Sequence, residues 1–173
     1  MSHGKIPLSE LNAMDQDAFV AALGGLFEGE PWMVAQAWHA RPFVNRDALE
    51  AALLQSVYDA PQERQVELIR AHPDLVGRAA LAGTLSPAST AEQAAADLDR
   101  LTSEEIAEFT RLNAAYREKF GFPFVICARE NKKASILAAF AARQGNSREQ
   151  EIATALGEVA KICRLRLRDL VME

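Results

Sequence analysis

The sequence predicts an all-α fold, a compact single-domain bundle of about eight helices with no significant sheet. Three observations lead there. Apolar residues recur at three- and four-residue intervals through most of the 173-residue chain. Helix-start signals are spread along it, at Asp15, at Asn45 or Asp47, at Thr102 with Glu105, and at Ser147 with Gln150. The run that fits a strand, Phe122–Cys127, finds no second convincing run to pair with. One domain is expected over residues 1–173, with residues 1–7 frayed.

In chain order, Asp15 caps a helix carrying Phe19, Val20, Leu23 and Leu26, with Gly24-Gly25 near its end. Pro31 suits the first turn of a short helix holding Trp32 and Trp38. Asn45 or Asp47 opens the next, with Leu49, Ala52, Leu53 and Val57 on one face. Pro61 starts another, carrying Val66 and Ile69. It must end near His72, because Pro73 disfavours a helical residue before it. The stretch from Asp74 to Pro87 is interrupted by Gly77, Gly83 and Pro87, and has room for a short helix and a turn.

Ser89-Thr90-Ala91-Glu92 fits a capping box, in which a hydroxyl and a carboxylate satisfy two orphan amides. Thr102-Ser103-Glu104-Glu105 offers another, opening a long helix through Tyr116 to Phe120 with Gly121 as its stop. Phe122–Cys127 reads as an extended, buried connector. Ser135–Ala142 is helical, and Ser147-Arg148-Glu149-Gln150 opens the last helix.

Composition narrows the function. Hydrophobic residues make up 49% and charged residues 25%, enough apolar mass for a real core. The net charge of -5 lacks the basic surplus of a nucleic-acid binder. No run reaches the roughly 20 apolar residues of a membrane helix, and the start and end carry no secretory or peroxisomal signal. A cytoplasmic protein without nucleic-acid or membrane partners is expected. Cys127 and Cys163 lie outside any metal pattern and read as small buried hydrophobes, a catalytic thiol being the alternative.

Four polar residues stand out. On the last helix Ile152, Leu156, Val159, Cys163 and Leu170 are spaced by four, three, four and seven, and the missing step is Arg166. An unpaired buried guanidinium is expensive, so Arg166 must pair with a carboxylate or face an internal polar cavity, unless its stem packs and its head reaches outward. Lys161, Arg164 and Arg168 read as solvated. Of the histidines, His3 sits near the frayed end and His39 late in a short helix, where a cation suits the helix dipole. His72 sits where a helix stops before Pro73, and its imidazole can give or take a proton near neutral pH. Asp74 either opens the next turn or orients that ring. Glu92 and Gln93 read as a cap and a surface residue, or as site groups.

Several strings carry a resemblance: His72-Pro73-Asp74-Leu75-Val76-Gly77-Arg78-Ala79-Ala80, Ser89-Thr90-Ala91-Glu92-Gln93, Leu98-Asp99-Arg100-Leu101, Leu112-Asn113-Ala114-Ala115-Tyr116, Phe120–Val125, Arg164-Leu165-Arg166-Leu167 and, earlier, Arg41-Pro42-Phe43. In this order they resemble the 2-oxo-4-hydroxy-4-carboxy-5-ureidoimidazoline (OHCU) decarboxylases of urate breakdown, over roughly residues 8 to 171. The resemblance implies an all-helical homodimer with no metal or organic cofactor, acting on a small ureidoimidazoline carboxylate. It assigns catalysis to His72 and Glu92. Substrate contacts fall on Pro73, Ser89, Gln93 and Arg166, and on the Phe122–Ile126 segment, including Phe124, Val125 and Ile126. Arg166 is thus reached twice, by helical spacing and by resemblance. Two rivals stay open: a non-catalytic helical interaction module, and a ring-opening amidohydrolase acting on a related ureido compound.

Overall fold

The computed structural model describes residues 4–173, the side chains of Arg78 and Ala79 excepted; His3 lies outside the described residues. The architecture is all-helical, as the sequence predicts. The chain forms two compact units, the first running to Leu68 and taking in Ala160–Glu173, the second being Ile69–Val159.

The first unit holds α1 (Leu8–Ala13), α2 (Gln16–Leu23), α3 (Trp32–Ala37), α4 (Arg46–Tyr58), most of α5 (Gln62–Arg70) and the last turns of α10 (Arg148–Leu170). Asp15 and Asn45 cap α2 and α4, each accepting a backbone N–H at 2.8 Å. The apolar stripes Phe19 and Leu23, Met33 and Val34, and Leu49, Leu53 and Val57 are buried, as are Cys163 and Leu167 of α10. The Arg41-Pro42-Phe43 string joins these helices. Arg41 donates to the carbonyls of Trp38, Asn12 and Met14 at 2.8–3.0 Å and lies over the Trp38 ring. Asn12 exchanges two hydrogen bonds with the Phe43 backbone, and Phe43 stacks on Phe19.

Two features were not foreseen. Helix α1 is too short for a periodic signal. Ile6–Pro7 (β1), inside the stretch expected to fray, pairs in parallel with Val171–Met172 (β2).

The second unit holds α6 (Arg78–Leu81), α7 (Pro87–Ala95), α8 (Ser103–Phe120), α9 (Lys133–Gln144) and the first turns of α10. The capping boxes at Thr102–Glu105 and Ser147–Gln150 are both formed, and Gly121 ends α8 in the left-handed region at φ +80°. The start of α7 corrects the reading from sequence. Its cap is Ser86, which accepts the Ser89 N–H at 3.1 Å, with Pro87 in the first turn. Ser89 is therefore inside the helix and buried.

Tyr116 anchors an aromatic core, its ring centroid 4.5 Å from Phe120 and 5.3 Å from Phe124, while Phe124 and Phe140 stack at 3.7 Å. Residues 123–127 form neither helix nor strand and are all buried, as expected of a connector. No described helix is long and apolar enough to cross a membrane.

Candidate active site

All the sequence-predicted site residues except Arg166 belong to the second unit. His72 follows the end of α5, its N–H donating to the Ile69 carbonyl at 3.1 Å, and its side chain is buried. Pro73 restricts the backbone on one side. On the other, Asp74 opens a turn by accepting the Gly77 N–H, and its carboxylate pairs with Arg117 at 3.0 Å. Only glycine fits at position 77, since a Cβ there would lie 2.7 Å from the Asp74 Cβ.

Between them Val76 sits at φ +54°, a strained position for a β-branched residue. Two amide side chains hold it there. Gln93 Oε1 accepts the Val76 N–H at 3.1 Å, while its Nε2 donates to the Asp74 carbonyl at 3.5 Å. Asn113 Nδ2 donates to the Leu75 carbonyl at 2.7 Å. Asn113 Oδ1 is buried without a partner among the described residues, a cost borne on α8.

Ser89, Glu92 and Gln93 lie at i, i+3 and i+4 on α7, and all three are buried. A buried polar stripe is costly unless its groups are engaged, so this face is built for polar contacts and not for packing alone. Gln93 fastens it to the His72 loop. On the connector, burial above all pushes the Cys127 thiol up to about 11, and the charges of Glu130, Glu158 and, least of these, Glu92 add to it. Cys127 is therefore an unreactive thiol at neutral pH. Further along, Lys132 Nζ donates to the Ala95 carbonyl at 2.5 Å. The His72 loop, the polar face of α7 and the Phe124–Cys127 connector are thus neighbours within one unit. Among the described residues no group of His, Cys, Asp and Glu side chains is arranged to hold a metal ion.

Arg166 is in the first unit and buried; its head does not reach outward, the alternative its spacing had left open. Of the outcomes expected for it, the structure shows a carboxylate pair: Nη2 lies 3.1 Å from Glu28 Oε1, and Nη1 donates to the Gly25 carbonyl at 3.3 Å. Lys161, Arg164 and Arg168 are exposed, and His39 is exposed on a short 3-10 turn beside Trp38.

Sequence reasoning missed Asn113, Arg143, Glu151 and Glu158, all buried in the second unit. The signal for Asn113 was available. It fills the step between Phe109 and Tyr116 on the apolar face of α8, the same anomaly that revealed Arg166.

Residues 12–168 match the family model for OHCU decarboxylase. A protein of Haloferax volcanii named 2-oxo-4-hydroxy-4-carboxy-5-ureidoimidazoline decarboxylase is 42% identical over 94% of this chain and 95% of its own. A protein of the same name from Amia calva is 42% identical over 95% of this chain and 94% of its own. A crystal structure of (S)-allantoin synthase superposes with a TM-score of 0.75 at 27% identity over 96% of this chain, which spans 54% of that protein's length. A crystal structure of OHCU decarboxylase in the presence of (S)-allantoin shares the fold, with a TM-score of 0.67 at 21% identity over 89% of this chain and 96% of that one.

Proposed function

The chain belongs to the OHCU decarboxylase family, and from that premise we propose that it decarboxylates 2-oxo-4-hydroxy-4-carboxy-5-ureidoimidazoline to (S)-allantoin. The observation that carries this is the buried polar face of α7, fastened by Gln93 to the His72 loop. That face lies in a chain 42% identical to decarboxylases of this name over nearly its whole length.

The chemistry asks little covalent work of the protein. The substrate bears a carboxylate and a hydroxyl on one ring carbon, beside an unsaturated C=N or carbonyl group. The bond to the carboxylate breaks, its electron pair moves into that neighbouring group, CO2 leaves, and one proton completes the product. The ring is its own electron sink. The protein supplies orientation, placed charge and a proton delivered to one face.

In this reading His72 exchanges the proton with the hydroxyl or the developing carbanion. Glu92 orients the ring N–H and ureido groups with Ser89 and Gln93, Pro73 packs beside them, and Phe124, Val125 and Ile126 form a wall of apolar groups and backbone. Arg166 takes a substrate oxygen, a role that suits a guanidinium. The working form is a homodimer in the cytoplasm, with the chain acting as one catalytic domain. Light scattering should return twice the 19.0 kDa chain mass.

The decisive experiment generates the unstable substrate from urate with the two upstream enzymes, adds this protein, and follows CO2 release and the optical activity of the allantoin. Racemic product at the spontaneous rate rejects the proposal. Ring opening without CO2 points to a hydrolase instead. His72→Asn should fold normally and lose turnover by about 10²–10⁴-fold. Retained rate and handedness would remove His72 from the proton's path.

A further inference from the structure

We propose that the buried Arg143–Glu151 pair is a positioning device for the substrate wall Phe124–Ile126. The proposal rests on that segment's assignment as a wall of the site.

The wall has no ladder to hold it. Residues 123–127 join no strand, yet Phe124, Val125 and Ile126 are all buried, so side chains must set their peptide planes. Arg143, in the last turn of α9, does so directly. Its Nη1 donates to the Val125 carbonyl at 2.7 Å, and its guanidinium carbon lies 4.2 Å from the centroid of the Phe124 ring. One planar group thereby fixes a carbonyl and the neighbouring ring. Successive peptide groups of an extended chain face opposite ways, so holding one carbonyl also directs those beside it. The far end is fixed separately, with the Cys127 N–H on Glu158 Oε1 at 3.4 Å and the Cys127 carbonyl on Asn131 Nδ2 at 2.9 Å.

Glu151 determines how the guanidinium is turned. Its carboxylate is wholly enclosed in the first turn of α10, where the helix dipole favours an anion. Oε1 accepts from Arg143 Nε at 2.8 Å and from the Tyr116 hydroxyl, and Oε2 accepts from Asn146 Nδ2 at 2.9 Å. With Nε engaged, the planar fork leaves Nη1 aimed at Val125. Stability alone gives a weak reason for this arrangement, because well-packed apolar residues replace many buried ion pairs at no loss. An apolar replacement fills the volume and cannot donate to the Val125 carbonyl.

That difference supplies the test. The variant Arg143→Met/Glu151→Leu/Tyr116→Phe removes every charge and hydroxyl of the cluster together. It should fold and melt within several degrees of wild type, the Val125 carbonyl having lost its donor, with KM raised about tenfold and kcat within about threefold. A purely structural pair would recover KM along with the fold. Arg143→Lys keeps the charge beside Glu151 and loses the fork, so KM should again rise severalfold; if the triple variant does not fold, this variant decides. A KM within about threefold of wild type, or a loss carried by kcat instead, overturns the proposal. Wild-type protein that leaves the substrate at its spontaneous rate overturns the functional reading and this proposal with it. Active wild type beside a variant of unchanged KM overturns this proposal alone.

Discussion

The two units each bury an arginine against a carboxylate, and they hold it differently. In the second unit Arg143 reaches Glu151, the Val125 carbonyl and, at 3.5 Å, the Tyr116 hydroxyl, and its carboxylate partner is wholly enclosed. In the first, Arg166 meets Glu28 at 3.1 Å and the Gly25 carbonyl at 3.3 Å, and the Glu28 side chain is 19% exposed. A carboxylate that touches water gives up less when a ligand oxygen takes its place, because its own charge can be rehydrated. One enclosed in a network cannot withdraw without leaving several groups unpaired. The proposed binding role of Arg166 fits the first arrangement, and the proposed framework role of Arg143 the second.

The largest expected effect separates the two pairs by stability. Glu151→Leu by itself strands a guanidinium in the core and should destabilise by about 3–5 kcal/mol. That lowers the thermal midpoint by on the order of 10 °C in a chain of this size. A loss under about 1 kcal/mol in a urea melt would erase the distinction between them.

Arg166→Ala should behave oppositely. Removing it leaves Glu28 able to hydrate, so stability falls less than in Glu151→Leu, while kcat/KM falls by roughly 100-fold. Unchanged kinetics would return Arg166 to the framework as well.

A pH titration reaches the Arg143 cluster from another side. Burial first, and then the hydrogen bond to Glu151, hold the Tyr116 hydroxyl protonated far above the ordinary phenol range. Its folded value exceeds its unfolded value of about 10, so its contribution is complete below that pH and is lost as pH rises beyond it. Urea stability measured through the alkaline range should fall above about pH 10 in wild type, and less steeply in Tyr116→Phe.

The smallest effect concerns the thiols. Burial, then Glu50, pushes Cys163 up to about 12, with Arg166 and Arg164 pulling it back, whereas burial and then Glu130 lead in raising Cys127 to about 11. Alkylation at a fixed pH below about 10, where the fold is intact, should run slower at Cys163 in Arg166→Ala and unchanged at Cys127. Faster alkylation of both would mean a global loosening instead.

Much of this could be read along the chain because the signals are local. A cap needs only a hydroxyl, carboxylate or amide oxygen two or three residues before the amide it satisfies; Asp15, Thr102 and Ser147 act as expected, and of Asn45 and Asp47 it is Asn45 that caps. The start of α7 was misplaced because two serines compete there, and Pro87 favours Ser86. Arg166 and Asn113 both interrupt an apolar face, so periodicity marks them, but it names no partner. Glu28 lies more than a hundred residues from Arg166, and Glu151 gives no sign on its own helix that it receives Tyr116 and Arg143.

Order along the chain, helix boundaries, apolar faces and the positions that break them followed from interactions spanning one or two turns. Which carboxylate answers each arginine, and which amides hold Val76 in its strained backbone, depended on groups far apart in sequence. Those choices belong to packing, since a buried polar atom takes its partner from whatever the fold brings within reach.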